Sequence, residues 1–172
     1  MPLAKPFNLQ QWVDDNRHLL KPPVGNHQVY KGNDDYIVMV LGGPNGRKDY
    51  HWEEGEELFY QIEGDITLKI INEAGAPEDI PIKEGEMFLL PPRIPHSPQR
   101  PANTIGLVIE RYRREGEMDK LMWFCENCNH KLHEEAFPLE DIVVQLKAAI
   151  QNFMASEELR TCDRCGTVME GE

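Results

Sequence analysis

The stretch DYHWEEGEELFYQIEG, residues 49–64, sets one histidine, His51, against a run of acids whose settings differ. Glu53, Glu54 and Glu56 flank Gly55 in what reads as a loop, where a carboxylate stays hydrated. Glu57 instead opens the apolar run LFYQIEG. A carboxylate at the buried edge of a strand is costly unless it is paired, hydrogen-bonded or bound to a metal. A third group comes from FLLPPRIPHSPQR, where His96 follows an apolar run between Pro91, Pro92, Pro95 and Pro98. Their fixed φ angles stiffen the backbone and so aim the imidazole. Two imidazoles and one carboxylate, with coordination positions left open, form the set expected for a non-haem Fe(II) that handles dioxygen. His51, Glu57 and His96 are therefore the expected ligands of one metal.

A second constellation lies near the C-terminus. The only cysteines form two pairs, CENC (Cys125 and Cys128) and CDRC (Cys162 and Cys165), with 33 residues between the inner two. In a reducing compartment such pairs are metal knuckles rather than disulfides. Four thiolates make a tetrahedral cage suited to Zn(II) or to a single iron, and the spacing does not choose between them. The expected role is a closed staple, not an electron carrier. His130 and His133 stand near, but four sulfurs already complete the shell. His18 and His27 read as surface or packing residues.

These groups need a scaffold. Asn8 is placed to cap a short helix that puts Leu9, Trp12, Val13 and Leu20 on roughly one face, and KPPVGN stops it. From Gln28 to Tyr112 the texture is one of short β-branched and aromatic runs between turn signals: YIVMVLGG, LFYQIEG, DITLKIIN, DIPI, EMFLLPP and TIGLVIERY. About eight short strands without an intervening helical period predict an all-β antiparallel sandwich or small barrel. NEAGAPED reads as a hairpin loop. After Gly116 a first knuckle, a helix over PLEDIVVQLKAAIQNFMAS and a second knuckle follow. That helix sets Ile142, Val143, Leu146, Ala149, Ile150 and Phe153 on one face. The expected division is a barrel over 1–116 and a helical four-cysteine annex over 117–172.

Composition bounds the rest. The 172 residues carry 40% apolar and 28% charged side chains, as expected of one globular core plus a small appendage. No apolar run approaches the roughly 20 residues that cross a bilayer. The N-terminal MPLAKPFNLQQWVDD lacks the apolar core of a signal peptide, so the expectation is a cytoplasmic protein without a membrane partner. The net charge of −12 leaves no basic stripe for a phosphate backbone, and nucleic acid is not expected as a partner. RYRRE, residues 111–115, reads as an exposed strand end. Trp12, Trp52, Trp123 and Phe59 read as core or interface. Val24, Asn26 and Ile142 are candidates to line a pocket, with PPVGN as a lid edge. An acidic barrel with exposed strand edges predicts a homodimer.

The order Glu57, Gly64, Gly85, Pro91, Arg93, His96 resembles the two-motif signature of the cupin barrel, a jelly-roll or double-stranded β-helix fold. Most cupins carry His-x-His in the first motif. Here Glu53 occupies the second histidine position, which reduces four protein ligands to three. That pattern, with GGPNGRKDYH, EELFYQIEG, FLLPPRIPHSPQRP and LVIER, resembles the 3-hydroxyanthranilate 3,4-dioxygenase family over almost the whole chain. The two cysteine knuckles resemble its bacterial branch, which carries a second, rubredoxin-like iron site.

The resemblance implies insertion of dioxygen into 3-hydroxyanthranilate to give 2-amino-3-carboxymuconate semialdehyde, the precursor of quinolinate on the route from tryptophan to NAD. It implies Fe(II) on His51, Glu57 and His96, with two open positions for the substrate's adjacent hydroxyl and amino groups and a third for dioxygen. It further implies that Arg47 and Arg100, four residues outside His51 and His96, clamp the substrate carboxylate, a task suited to a planar guanidinium. Glu110, after the apolar run IGLVI, resembles the family's substrate-facing glutamate and would take a proton from the bound hydroxyl or amino group. A salt bridge from Glu110 to one of those two arginines is the compatible plainer reading. The implied substrate contacts are thus Arg47, Glu57, Arg100 and Glu110, and Asp49 is expected to orient a ligand or Arg47. Two other classes stay open on the residues alone. One is a cupin enzyme using another divalent metal on sugars or small acids; the other is a ligand-sensing zinc-ribbon binding module.

Overall fold

Successive side chains of a strand point to opposite faces, and along much of YIVMVLG, ELFYQIE and IGLVIER buried positions alternate with less buried ones. In the computed structural model, which describes residues 5–22, 25–32, 35–139 and 142–171, these runs lie side by side. The strands are β1 (Asn26–Gln28), β2 (Tyr36–Gly42), β3 (Tyr50–Trp52), β4 (Glu57–Glu63), β5 (Ile66–Ile71), β6 (Pro77–Ile82), β7 (Met87–Leu90), β8 (His96–Gln99), β9 (Ile105–Arg111), β10 (Asp119–Phe124) and β11 (Lys131–Phe137). One sheet has the order β1-β2-β9-β4-β7 and the other β11-β10-β3-β8-β5-β6, with every pairing antiparallel. Their inner faces share one core: Ile37, Met39, Phe59, Leu90 and Val108 from the first sheet meet Ile66, Leu68, Ile70 and Ile82 from the second. This is the two-sheeted all-β barrel expected from the strand texture.

The N-terminal helix α1 (Leu9–Asn16) begins where Asn8 Oδ1 accepts from the Gln11 amide at 2.9 Å. It lays Val13 on Val40 and Ile105 on the outer side of the first sheet, and Leu20, just past the helix, joins them. The loop after β5 is held by Asn72, whose Oδ1 accepts from the amides of Ala74 and Ala76.

The second sheet extends beyond residue 116. β10 pairs with β3 and β11 pairs with β10, so residues the sequence assigns to the annex continue the barrel's own sheet. Neither strand was anticipated. KLHEEAF sets Leu132, Ala136 and Phe137 among four polar residues without alternation, so its pattern carries no strand signal. Against these strands pack α2 (Ile142–Ala155) and α3 (Glu157–Arg160), and Leu121, Trp123, Ala149, Phe153 and Met169 form a second core. Trp123 and Phe153 stack with ring centroids 4.3 Å apart. Asn26 is exposed at the start of β1. The Val24 and Ile142 side chains, the other candidate pocket residues, lie outside the described residues, as does the Val143 side chain.

Leu68, fully buried where the two inner faces meet, tests the shared core. Leu68→Ala is expected to lower unfolding stability by about 2–5 kcal/mol. Urea titration of the metal-free protein measures it, and a loss well under about 1 kcal/mol would place Leu68 outside the cooperative core.

Candidate metal centre

Register brings the three expected ligands together. β3 and β8 are antiparallel with His51 opposite His96, and the two imidazoles meet edge to face with ring centroids 5.3 Å apart. Glu57 opens β4 facing inward. All three are buried, and one donor atom from each lies within 4.8 Å of the others.

The hydrogen bonds prepare both rings for a cation. His96 Nδ1–H donates to the Ile94 carbonyl at 2.9 Å, so Nε2 keeps its lone pair. That lone pair faces Glu57 Oε2 at 2.7 Å, a buried oxygen with no hydrogen-bond donor. Two acceptors so close in a dry interior require a positive charge between them, either a proton or a metal ion. Burial alone would push the Glu57 carboxyl up, but the facing His96 outweighs it and holds Glu57 below its ordinary value. His96 is raised: burial lowers it and Glu57 more than compensates. His51 Nε2–H donates to Asp119 Oδ2 at 2.6 Å, which leaves Nδ1 for a metal. A carboxylate behind a ligating imidazole fixes its tautomer and strengthens it as a donor. The residues therefore fit a divalent metal.

Further carboxyl and guanidinium groups surround this set. β4 and β9 pair with Glu57 opposite Glu110, so Glu110 points inward beside the ligand. Its partner is neither Arg47 nor Arg100, as the plainer reading had it, but Arg113, whose Nη1 donates to Glu110 Oε2 at 2.7 Å. RYRRE is accordingly not an exposed strand end. The Arg113 side chain is 5% exposed, and Arg111 forks onto Glu117 at 2.6 and 2.7 Å. Nor is Glu53 a solvated loop residue. It is buried at 2% exposure, and burial together with Glu110 pushes its carboxyl up to about 10. The loop around Gly55 turns inward at Glu53 because its carbonyl accepts from the Arg93 amide at 2.8 Å. Glu54 pairs with Arg93 at 2.7 Å, and Glu56 is exposed as expected.

Both expected clamps are near the metal group. The charge of Arg47 acts on His96 and the charge of Arg100 is felt by Glu57. The loop bearing Arg47 is stitched to the end of β8, where the Arg100 amide donates to Asn45 Oδ1 at 2.7 Å and the Asn45 amide to the Arg100 carbonyl at 3.0 Å. Asp49 holds the Arg47 guanidinium through two hydrogen bonds, the orienting role expected of it. Arg100 is different. It is 2% exposed, its Nη1 donates to the neutral Gln61 Oε1 at 3.1 Å, and its Nε has no partner. Burial pulls it down to about 10. Gly106 makes room for this fork, because a Cβ there would lie 2.6 Å from both Arg100 Nη1 and Gln61 Oε1.

Asp119, Arg113 and Gln61 were not anticipated. Asp119 had a usable signal, since it opens the apolar run DKLMWF as Glu57 opens LFYQIEG. Gln61 and Arg113 had none: a glutamine within a strand and an arginine among arginines look ordinary.

The four cysteines also converge. Their sulfurs lie within 4.8 Å of one another, with Cys125–Cys165 and Cys128–Cys162 each at 3.6 Å. A tetrahedron with metal–sulfur bonds of about 2.3 Å has edges of about 3.8 Å, so this is a cage of the right size. The knuckles are built alike. The Cys125 amide donates to the His130 carbonyl and the Cys162 amide to the Thr167 carbonyl, both at 2.8 Å. Four residues after each leading cysteine stands a residue with positive φ, Asn129 at 57° and Gly166 at 75°, types that tolerate that conformation. His130 pairs with Asp163 at 3.0 Å and His133 lies against Trp123 and Phe153. Both stay outside the cage.

A family model described as 3-hydroxyanthranilic acid dioxygenase matches residues 1–154. A 3-hydroxyanthranilate 3,4-dioxygenase from Xanthomonas euvesicatoria pv. vesicatoria is 53% identical over 164 residues, covering 95% of this chain and 92% of that protein. One from Bacillus cereus is 47% identical over 166 residues, covering 96% and 92%.

Removal of one donor separates the two sites. Glu57→Ala is expected to abolish stoichiometric metal at the barrel while the four-cysteine site keeps its own. Elemental analysis after dialysis against a weak chelator reads both, and retention of two metals per chain would show that another carboxylate holds the ion.

Proposed function

The chain belongs to the 3-hydroxyanthranilic acid dioxygenase family, and from that premise we propose that it cleaves the ring of 3-hydroxyanthranilate with dioxygen, using Fe(II) on His51, Glu57 and His96. Both oxygen atoms enter the product, the ring bond between carbons 3 and 4 breaks, and no external reductant is consumed. A ferrous ion in that donor set supplies open positions for the substrate's vicinal hydroxyl and amino groups and for dioxygen.

The observation that carries the reading is the uncompensated charge of Arg100. Asp49 neutralises Arg47, and Arg113 is surrounded by carboxylates. Arg100, by contrast, makes its hydrogen bond to the neutral Gln61, and the Glu57 carboxylate acts on it only through space. A buried cation with no carboxylate in direct contact is costly, and a substrate carboxylate would relieve it through a two-point contact. Arg47, close enough to influence His96, is placed to approach the same carboxylate from the rim. A cupin enzyme acting on sugars gives no use for that charge, and the family match favours ring cleavage over a small-acid enzyme or a zinc-ribbon binding module. Glu110, beside Glu57 and oriented by Arg113, is placed to take the proton that leaves when the substrate hydroxyl binds.

The division at residue 116 is proposed as one of role, with catalysis in the barrel and a structural iron or zinc in the annex. The four thiols, none in a disulfide, support a reducing, cytoplasmic setting. No described helix is long and apolar enough to cross a membrane.

A homodimer is proposed through the outer face of the first sheet. Tyr36 and Leu89, 58% and 53% exposed, line a groove of about 830 Å³ together with Leu58, Pro92 and Ile109, and Met87, 63% exposed, lies on the same strand as Leu89. Exposed apolar groups so gathered mark interaction surfaces, and a two-fold axis lets one patch cover its copy.

Anaerobically iron-loaded protein mixed with 3-hydroxyanthranilate and air is expected to show the rising semialdehyde absorbance with one dioxygen consumed per substrate. Full iron occupancy with no product would overturn the assignment. Sedimentation equilibrium is expected to give twice the chain mass, and Leu89→Glu to give the single-chain mass; a wild-type monomer rejects the dimer.

A further inference from the structure

Arg113 has been met so far only as a neighbour. Its Nε and Nη2 donate to Asp119 Oδ1 and Oδ2 at 2.7 and 2.6 Å, a two-point grip. Its Nη1 donates to Glu110 Oε2 at 2.7 Å and lies 2.9 Å from Glu53 Oε2. One guanidinium thus touches three buried carboxyl groups. Asp119 holds the His51 ring, and Glu110 stands opposite Glu57.

The placement matters because Glu110 and Asp119 belong to different sheets. Glu110 is on β9, Asp119 opens β10, and Arg113 lies in the connection between them. Any slip of one sheet against the other would move His51 relative to Glu110. We propose that Arg113 is a positioning residue that locks the metal ligand His51, through Asp119, to the substrate-facing Glu110, so that ligand and base keep one mutual geometry. The Glu110 arm rests on the ring-cleavage reading; the Asp119–His51 arm rests on contacts alone.

The chemistry demands arginine. A guanidinium offers donors in a planar fork that can meet two oxygens of one carboxylate and still direct another N–H to a second acid. A lysine ammonium keeps the charge but cannot hold all these acceptors in that plane. Arg113→Lys therefore preserves electrostatics while removing the lock.

The test uses the full-length protein with both metal sites filled. Iron-loaded Arg113→Lys is expected to keep its cage metal and to lose about 100-fold in kcat per barrel iron, since displacement of reacting groups by about 1 Å costs that much. KM should stay within about threefold, because no substrate contact is removed. The Co(II)-substituted barrel should show a shifted ligand-field spectrum without any substrate present, as the His51 ring loses its fixed orientation. Added to Glu110→Gln, Arg113→Lys should slow turnover by much less than it does in the wild type, because both changes act on one unit. An unshifted Co(II) spectrum with kcat per iron within about threefold of wild type overturns the proposal, as do effects that multiply independently. Should Arg113→Lys not fold, Asp119→Asn replaces it, with the same spectral shift expected and an unchanged spectrum overturning the lock. Wild-type protein that binds iron but does not cleave 3-hydroxyanthranilate would sink the ring-cleavage reading, and the Co(II) spectra would still decide on Arg113.

Discussion

The structure depends on a charge constraint inside the barrel. Glu53, Glu57, Glu110 and Asp119 are all at least nine-tenths buried, where unpaired carboxylates cost several kcal/mol each. Glu53 escapes by staying protonated, its carboxyl pushed up to about 10 by burial and Glu110. The other three must meet positive charge. Arg113 supplies one unit, and a divalent ion held by His51, Glu57 and His96 would supply two and so complete the neutrality of the interior as well as the chemistry.

Balance among these groups leaves Arg100 outstanding. Arg47 is matched by Asp49, but Arg100 is buried against Gln61 with its Nε unpartnered. A site neutral in all but one cation selects for an anionic ligand. Gly106 reinforces this, since any larger residue would push the fork out of place. Glycine at 106 thus keeps the Arg100 fork in the position from which it can meet a carboxylate, the group a hydroxy-amino-benzoate presents.

The sequence revealed residues whose position contradicts their polarity. Glu57 at the head of an apolar strand, His96 among prolines, and cysteines in two spaced pairs each stand out locally, and each lies where that reading placed it. Six strands, β2, β4, β5, β6, β7 and β9, were legible as short β-branched and aromatic runs between turns, whereas β1, β3 and β8, of three or four residues each, are too short to show a pattern and were not read. What escaped was decided by tertiary context. In sequence Glu53 looks like its neighbours Glu54 and Glu56, half-buried and exposed in the fold, until the backbone bond to Arg93 turns it inward. Arg113 is one arginine among several, and only the meeting of β9 with β10 makes it the buried one. β11 escaped because its side chains are half-buried on both faces and carry no periodicity.

β10 shows why the annex belongs mechanically to the barrel. Its first residue, Asp119, orients His51, and the residue after its last is Cys125 of the cage. The six residues of the strand span about 20 Å. A strand paired on both sides, to β3 and β11, cannot bend freely over that length. The cage and its packed helices, centred on Trp123 and Phe153, therefore anchor one end of a strut whose other end aims a metal ligand. Cys125 and the packed helices flank the end of β10 away from Asp119, and the register of β10 with β3, and of β3 with β8, is what brings His51 opposite His96.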